Sequence, residues 1–126
     1  MNMRTPLSKV RGLGSAKDGS HHFWQQRLTA VANIPLVIFL IIVLAGLIGA
    51  DHGTVRATLA APYISIPMLL LILSGVYHMR LGMQTFIEDY FSSDGLRVAA
   101  LMLNTFFAFL VGLTSVFAVL KISFGA

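Results

Sequence analysis

The chain has 126 residues, of which 56% are hydrophobic and 11% are charged, and its mean hydropathy is +0.81. Soluble domains carry about 25% charged residues, and a chain of this length cannot hide so much apolar surface in a globular core, so a soluble enzyme and a disordered chain are both excluded. The formal net charge is +4, and the absence of cysteine excludes disulfides, iron–sulfur clusters and thiol catalysis within this chain.

We predict that residues 1–27 form a cytoplasmic tail that ends in an interfacial segment. Residues 1–17 are basic and contain no acidic residue, which fits an organellar transit peptide as well as a cytoplasmic tail. The tail is favoured because the segment is short. Ser20 is the predicted N-cap of the first helix, since its hydroxyl can accept a hydrogen bond from a backbone N–H group of the first turn.

Residues 28–126 contain three apolar stretches without a charged residue, at 28–50, 59–77 and 98–120. Each stretch is long enough to cross a hydrocarbon core of about 30 Å as a helix. A helix also satisfies its own backbone hydrogen bonds, which lipid requires, and the alternating pattern of transmembrane strands is absent. We therefore predict an all-α membrane protein with three transmembrane helices, at about 28–50, 59–82 and 97–121.

The distribution of lysine and arginine predicts the orientation of these helices. Seven basic residues lie before the first helix or around the connection between the second and third: Arg4, Lys9, Arg11, Lys17, Arg27, Arg80 and Arg97. Two lie on the other side, Arg56 and Lys121. Because cytoplasmic segments carry the excess of basic residues, we predict that the N-terminus is cytoplasmic. The same bias accounts for the basic charge, so no nucleic-acid partner is expected.

His78 is the strongest candidate for a functional residue, because an ionisable side chain in a transmembrane helix is a functional candidate by default. Gly75 and Gly82 share its helical face, and Ser74 lies at the margin of that face. A flat porphyrin needs such a bare surface if its iron is to reach the imidazole. The alternative is a face of small residues that packs against another helix. A haem here would take its second axial ligand from another membrane chain.

Asp89 and Tyr90 form a second candidate group near the predicted membrane surface. Asp89 comes 11 residues after His78, which is about three helical turns, so the two share a face if the helix continues. The Tyr90 phenol can both donate and accept a hydrogen bond. A carboxylate beside a phenol can bind and protonate a quinone carbonyl. A solvated acidic loop at the end of the helix is the alternative.

A third candidate group lies just before the first apolar stretch, at residues 21–27. Arg27 would lie at the headgroup boundary, on the same side of the membrane as His78. There Arg27 and His21 can pair with the propionates of a haem. An interfacial anchor without a ligand is the alternative.

Two motifs make the chain resemble the hydrophobic membrane anchor subunit of succinate dehydrogenase (respiratory complex II), the smaller of the anchor types. The first motif is Gly19-Ser20-His21-His22-Phe23-Trp24 with Arg27-Leu28-Thr29-Ala30. The second is His78-Met79-Arg80-Leu81-Gly82-Met83-Gln84 followed by Asp89-Tyr90. In that family the second motif has a haem-ligating histidine, a glycine four residues later, and Asp-Tyr eleven and twelve residues after the histidine. Residues 4–16 resemble alphaproteobacterial members.

The resemblance implies a multi-pass subunit of the bacterial cytoplasmic (inner) membrane that fastens a flavoprotein subunit and an iron–sulfur subunit to the bilayer. His78 would be an axial ligand of a b-type haem shared with a partner cytochrome b subunit, with Arg27 and His21 near the propionates. Tyr90 would hydrogen-bond a quinone, expected to be ubiquinone, and Asp89 would help relay protons. The basic tail would pack on the iron–sulfur subunit. The chain would not oxidise succinate by itself.

Other functions remain open on the residues alone. One is a haem-free structural anchor in which His78 serves only in helix packing, and another is a fumarate reductase-type anchor. A transporter or proton channel is disfavoured, because no span carries an ionisable residue near its midplane.

Overall fold

The computed structural model describes residues 5–7 and 16–125, and these residues contain helices and no strand. The helices are α1 (Ala16–Gly46), α2 (His52–Ala60), α3 (Pro62–Tyr90) and α4 (Asp94–Ser123). Within the described residues, three segments are long and apolar enough to cross a membrane: Ser20–Gly46, Pro62–Tyr90 and Asp94–Ser123. The predicted all-α fold with three membrane-spanning helices is confirmed within this part of the chain.

The start of α1 differs from the prediction. The helix begins at Ala16, well before residue 28, and Ser20 lies inside it, so the prediction that Ser20 caps the helix is wrong. No proline occurs between Ala16 and Ile34, and the polar turns therefore continue into the apolar span without a break. The predicted interfacial segment is the first part of this helix. The predictions for residues 1–4 and 8–15 of the tail lie outside the described residues.

The short helix α2 was not predicted, since its sequence has no apolar periodicity. Asp51 caps it: a carboxylate oxygen accepts a hydrogen bond of 3.0 Å from the Thr54 backbone N–H. This hydrogen bonding to Thr54 lowers the pKa of the Asp51 carboxyl from its ordinary value of 3.8. Pro62 then opens α3, where its missing N–H has no helical partner to lose.

Helix α3 is the central element. It packs against α1 and against α4, while α1 and α4 do not contact each other within the described part of the chain. The three long helices therefore form a row instead of a closed bundle, and α2 packs on the α3–α4 pair. Among the residues whose burial is described, only a few are buried: Ile64, Ser65, Leu81, Ile87, Asn104 and Ala108. The large apolar surface left exposed on all three helices suits contact with lipid and with other membrane chains.

Candidate functional site

Thr29 of α1 holds His78 of α3. The Thr29 hydroxyl lies 3.0 Å from His78 Nδ1. The same hydroxyl bonds within its own helix, to the carbonyl oxygens of Gln25 at 2.8 Å and Gln26 at 3.1 Å. Ser74 adds a second link between the helices, since its hydroxyl donates to the Thr29 carbonyl at 3.4 Å. His78 is half-buried, and its ring is fixed on one side by this contact.

The glycine face around His78 is divided between a covered edge and an open edge. A Cβ atom on Gly82 would lie 3.4 Å from the Gln26 side-chain nitrogen, so α1 covers that edge. A Cβ atom on Gly75 would meet no described atom within 4 Å. Ser74, predicted at the margin, contacts α1. His78 Nε2 has no hydrogen-bond partner among the described residues. This face of α3 therefore packs against α1 and still leaves the His78 Nε2 atom available to a ligand.

A stripe of polar side chains on α1 faces α3, and sequence analysis missed it. The stripe consists of His22, Gln26, Thr29 and Asn33, spaced four, three and four residues apart, which is the period of one helical face. His22 Nε2, Gln26 Oε1 and Asn33 Oδ1 are buried without a hydrogen-bond partner in the described structure. We call this stripe, together with Ser74 and His78, the polar seam. The regular spacing of polar residues was the signal in the sequence.

The predicted propionate partners lie outside the polar seam. The Arg27 guanidinium sits 5.1 Å from the centre of the Phe23 ring and is exposed. His21 is exposed and bonds to the Gln25 side chain at 2.8 Å. Neither residue forms a hydrogen bond or ion pair with α3 in the described part of the chain. Arg27 precedes Thr29 by two residues and therefore lies on a different face of α1.

The last turns of α3 carry the predicted quinone group. The helix continues to Tyr90, so the condition for Asp89 to share the face of His78 is met. Asp89 and Tyr90 are both exposed, and the Tyr90 ring stacks on Phe86 with 4.6 Å between ring centres. The structure does not bring this pair to His78, because eleven helical residues separate Asp89 from it by about 16 Å along the axis.

Arg97 braces the turn that follows Tyr90, a role the sequence did not indicate. Its Nε and Nη2 atoms donate to the Phe91 carbonyl at 3.1 Å and 2.7 Å. Its Nη1 atom pairs with Asp94 at 3.4 Å. Phe91 is the residue that caps the C-terminal end of α3. The guanidinium therefore satisfies a carbonyl at the helix end and holds the connection to α4 in place.

A groove of about 470 Å³ runs along the contact between α3 and α4. Its walls are apolar and include Val76 and Tyr77 of α3 and Gly112 and Leu113 of α4, and Arg80 also lines it. The Arg80 backbone carbonyl accepts a hydrogen bond of 3.0 Å from the Asn104 side chain. This interface is otherwise free of side-chain hydrogen bonds between the two helices in the residues described.

Known proteins with similar sequences indicate the same family as the two motifs of this chain. Residues 1–114 match the family described as succinate dehydrogenase/fumarate reductase transmembrane subunit. The chain belongs to this family. The succinate dehydrogenase hydrophobic membrane anchor subunit of Paracoccus denitrificans is 32% identical over 126 residues, which is 100% of this chain and 97% of that protein. The subunit of the same name from Rickettsia bellii is 32% identical over 118 residues, 94% of each chain.

A relative outside these two genera is the succinate dehydrogenase membrane anchor subunit of Reclinomonas americana, which is 31% identical over 90 residues, 69% of this chain and 75% of that protein. No solved structure matches the chain significantly. The resemblance inferred from the two motifs is confirmed, including its likeness to alphaproteobacterial proteins. As a transmembrane subunit of this family with three apolar helices, the chain is a multi-pass membrane protein.

Proposed function

We propose that this chain is the hydrophobic membrane anchor subunit of a succinate:quinone oxidoreductase in the bacterial cytoplasmic membrane. The observation that carries the proposal is the match to anchor subunits over the whole chain, together with three apolar helices of membrane-spanning length. The anchor attaches a flavoprotein subunit and an iron–sulfur subunit to the bilayer. Arg27, Arg80 and Arg97 lie toward one end of the three long helices, which supports a cytoplasmic N-terminus at that end.

We further propose that His78 is one axial ligand of a b-type haem shared with a partner cytochrome b subunit. The Thr29 hydroxyl has one hydrogen, and the carbonyl oxygens of Gln25 and Gln26 lie in position to accept it. The hydroxyl oxygen then accepts from His78 Nδ1–H, which leaves the lone pair on Nε2, the nitrogen that binds iron. The open edge at Gly75 suits a flat ring. When bound, the haem supplies one-electron redox chemistry.

The remaining site residues act near the same end of the molecule. The Tyr90 hydroxyl donates a hydrogen bond to a quinone carbonyl, supported by its exposure and by the stacking on Phe86 that limits its ring. The adjacent Asp89 carboxylate accepts protons from water and passes them toward that site. Arg27, exposed and steadied by Phe23, pairs with a haem propionate, and His21, which bonds to Gln25 earlier in the same helix, is the second candidate. Ubiquinone is the expected substrate.

The deciding experiment purifies the complex through a tag on this chain and records a dithionite-reduced minus oxidised absorption spectrum. We expect a b-type haem signal in a complex that contains the flavoprotein and iron–sulfur subunits. An intact complex without haem would make the chain a haem-free anchor, and recovery of the chain without those subunits would overturn the anchor role.

The quinone site has its own test. Tyr90→Phe should leave the haem spectrum unchanged and lower the rate of quinone reduction about tenfold or more, the scale expected for loss of one catalytic hydrogen-bond donor. Tyr63→Phe is the matched control, since Tyr63 is equally exposed but lies at the opposite end of α3. Equal quinone turnover in the two variants would remove Tyr90 from the site.

A further inference from the structure

The groove between α3 and α4 has an apolar body and one cationic end. From Ile72 to Arg80 it follows α3 for eight residues, which is about 12 Å. Gly112 lines it, and a Cβ atom there would lie 3.5 Å from a methyl group of Val76, so a larger side chain at this position would extend into the groove. Arg80 is the charged residue of its lining.

Arg80 lacks a counter-charge within the described part of the chain. Its Nε atom is buried without a hydrogen-bond partner, and the guanidinium forms no ion pair with any described residue. A guanidinium held at membrane depth is stabilised by an anion or by donors and acceptors at the headgroup level. The end of the groove therefore presents planar donors that suit a phosphate group.

If Pro62, which opens α3, marks one boundary of the hydrocarbon core, Arg80 lies at the other. It comes 18 residues after Pro62, the first residue of α3, and that distance is about 27 Å, close to the core thickness of about 30 Å. The groove then runs about 12 Å from this boundary toward the middle, which approaches the depth of one lipid leaflet. A single acyl chain has this length and polarity, whereas a partner helix would cross both leaflets.

We propose that the groove binds one acyl chain of an anionic phospholipid, with the lipid phosphate paired to Arg80. A basic residue near an anionic membrane surface is attracted to the lipid headgroups. Tyr77 lies about 200° around α3 from Gly75, so this end of the groove faces away from the open edge beside His78. The separation of the groove from the haem rests on the proposed haem site. The groove, the charge of Arg80 and the position of Arg80 along α3 do not depend on that site.

The test uses the intact complex, purified in detergent, delipidated and titrated separately with phosphatidylglycerol and phosphatidylcholine while its melting temperature is recorded. We expect phosphatidylglycerol to act at a concentration about fivefold lower, the factor that one basic residue near an anionic surface supplies. Arg80→Gln should abolish that preference, Arg80→Lys should keep most of it, and Gly112→Leu should weaken the response to both lipids. Lys121→Gln, on the opposite end of α4, is the control and should behave as wild type.

Three results would overturn the proposal. The first is an equal response of the wild-type complex to the two lipids, which needs no variant to fold. The second is a preserved preference in Arg80→Gln. The third is a photo-crosslinking amino acid at Leu113 that captures a protein chain in native membranes, where a phospholipid adduct is expected. The haem spectrum of the same sample separates these results from a failure of the proposed haem site.

Discussion

The two faces of α3 hold their neighbouring helices in different ways. Toward α1, side chains of the polar seam form hydrogen bonds between helices, centred on Thr29 and His78. Toward α4, an apolar groove lies along the contact, and a side-chain hydrogen bond joins Asn104 to a backbone carbonyl. The seam holds the orientation of one ring, while the groove leaves room for a flexible chain.

This difference follows from how helices associate in lipid. Apolar contact between helices gains little there, because lipid tails are as apolar as the side chains, so close packing and hydrogen bonds decide which faces meet. Hydrogen bonds are directional and specify a side-chain geometry. Apolar packing is tolerant, which allows a groove to persist beside the contact. The polar seam therefore suits a ligand that binds a nitrogen atom held in a fixed orientation. The groove suits a ligand that needs only an apolar surface.

The largest expected effect comes from removing the imidazole ring of His78 from the polar seam. His78→Ala should lower the haem content of the purified complex by about tenfold or more, because the proposed axial ligand is lost. Haem is measured by the reduced minus oxidised spectrum, normalised to flavin. His52→Ala, at the other end of the molecule in α2, is the control. Unchanged haem in His78→Ala would return His78 to a packing role.

A smaller effect should follow from removing the hydroxyl that holds the ring. Thr29→Val keeps the branched shape but deletes the hydroxyl that we propose accepts from Nδ1–H, and loss of such a partner weakens metal affinity about 10- to 100-fold. The haem reduction potential should rise, since the ligand becomes less basic, and Thr29→Ser should restore it. Thr105→Val is matched, because Thr105 bonds only its own helix, at 3.1 Å to Leu101. Identical potentials in both valine variants would contradict the assignment.

On the α4 side of α3, we expect a substitution to change the stability of the complex and not its haem content. Asn104 is buried, with 8% of its surface exposed, and its amide donates to the Arg80 carbonyl. Asn104→Leu should lower the stability of the complex by about 0.6 kcal/mol, the average for such bonds in membranes. Thermal unfolding checks this, with Met102→Leu on the exposed face as control. A shifted haem spectrum in Asn104→Leu would show that the α4 face of α3 is coupled to its α1 face, where His78 lies.

The smallest effect belongs to the cap of α2, remote from both faces. Asp51→Ala should speed hydrogen exchange at the Thr54 amide and leave haem and lipid binding unchanged. Because hydrogen bonding lowers the Asp51 pKa in the folded chain, the cap stabilises α2 at pH values above 3.8 and is lost as the pH falls through the lowered value. If the Thr54 amide exchanges as fast in the wild-type chain as in Asp51→Ala at neutral pH, Asp51 does not cap α2.

Much of the architecture follows from local features of the sequence. Hydropathy identified the three spans, because lipid demands long uninterrupted apolar helices whatever their neighbours are. Pro62 opens α3, three residues after the predicted start at about 59, for an equally local reason: its missing N–H costs nothing in the first turn. The early start of α1 and the presence of α2 escaped prediction, because polar helical turns at a membrane surface show no apolar pattern that separates them from loops.

The sequence by itself determined that His78 is an ionisable group in a span and that the chain carries the motifs of its family. Only the tertiary structure decided that Thr29, 49 residues away, bonds its ring, and that Arg80 lines a groove instead of the polar seam. Composition and spacing specify the face of a single helix. The rotation and offset of two packed helices depend on how their side chains fit together, and that fit is a property of the pair.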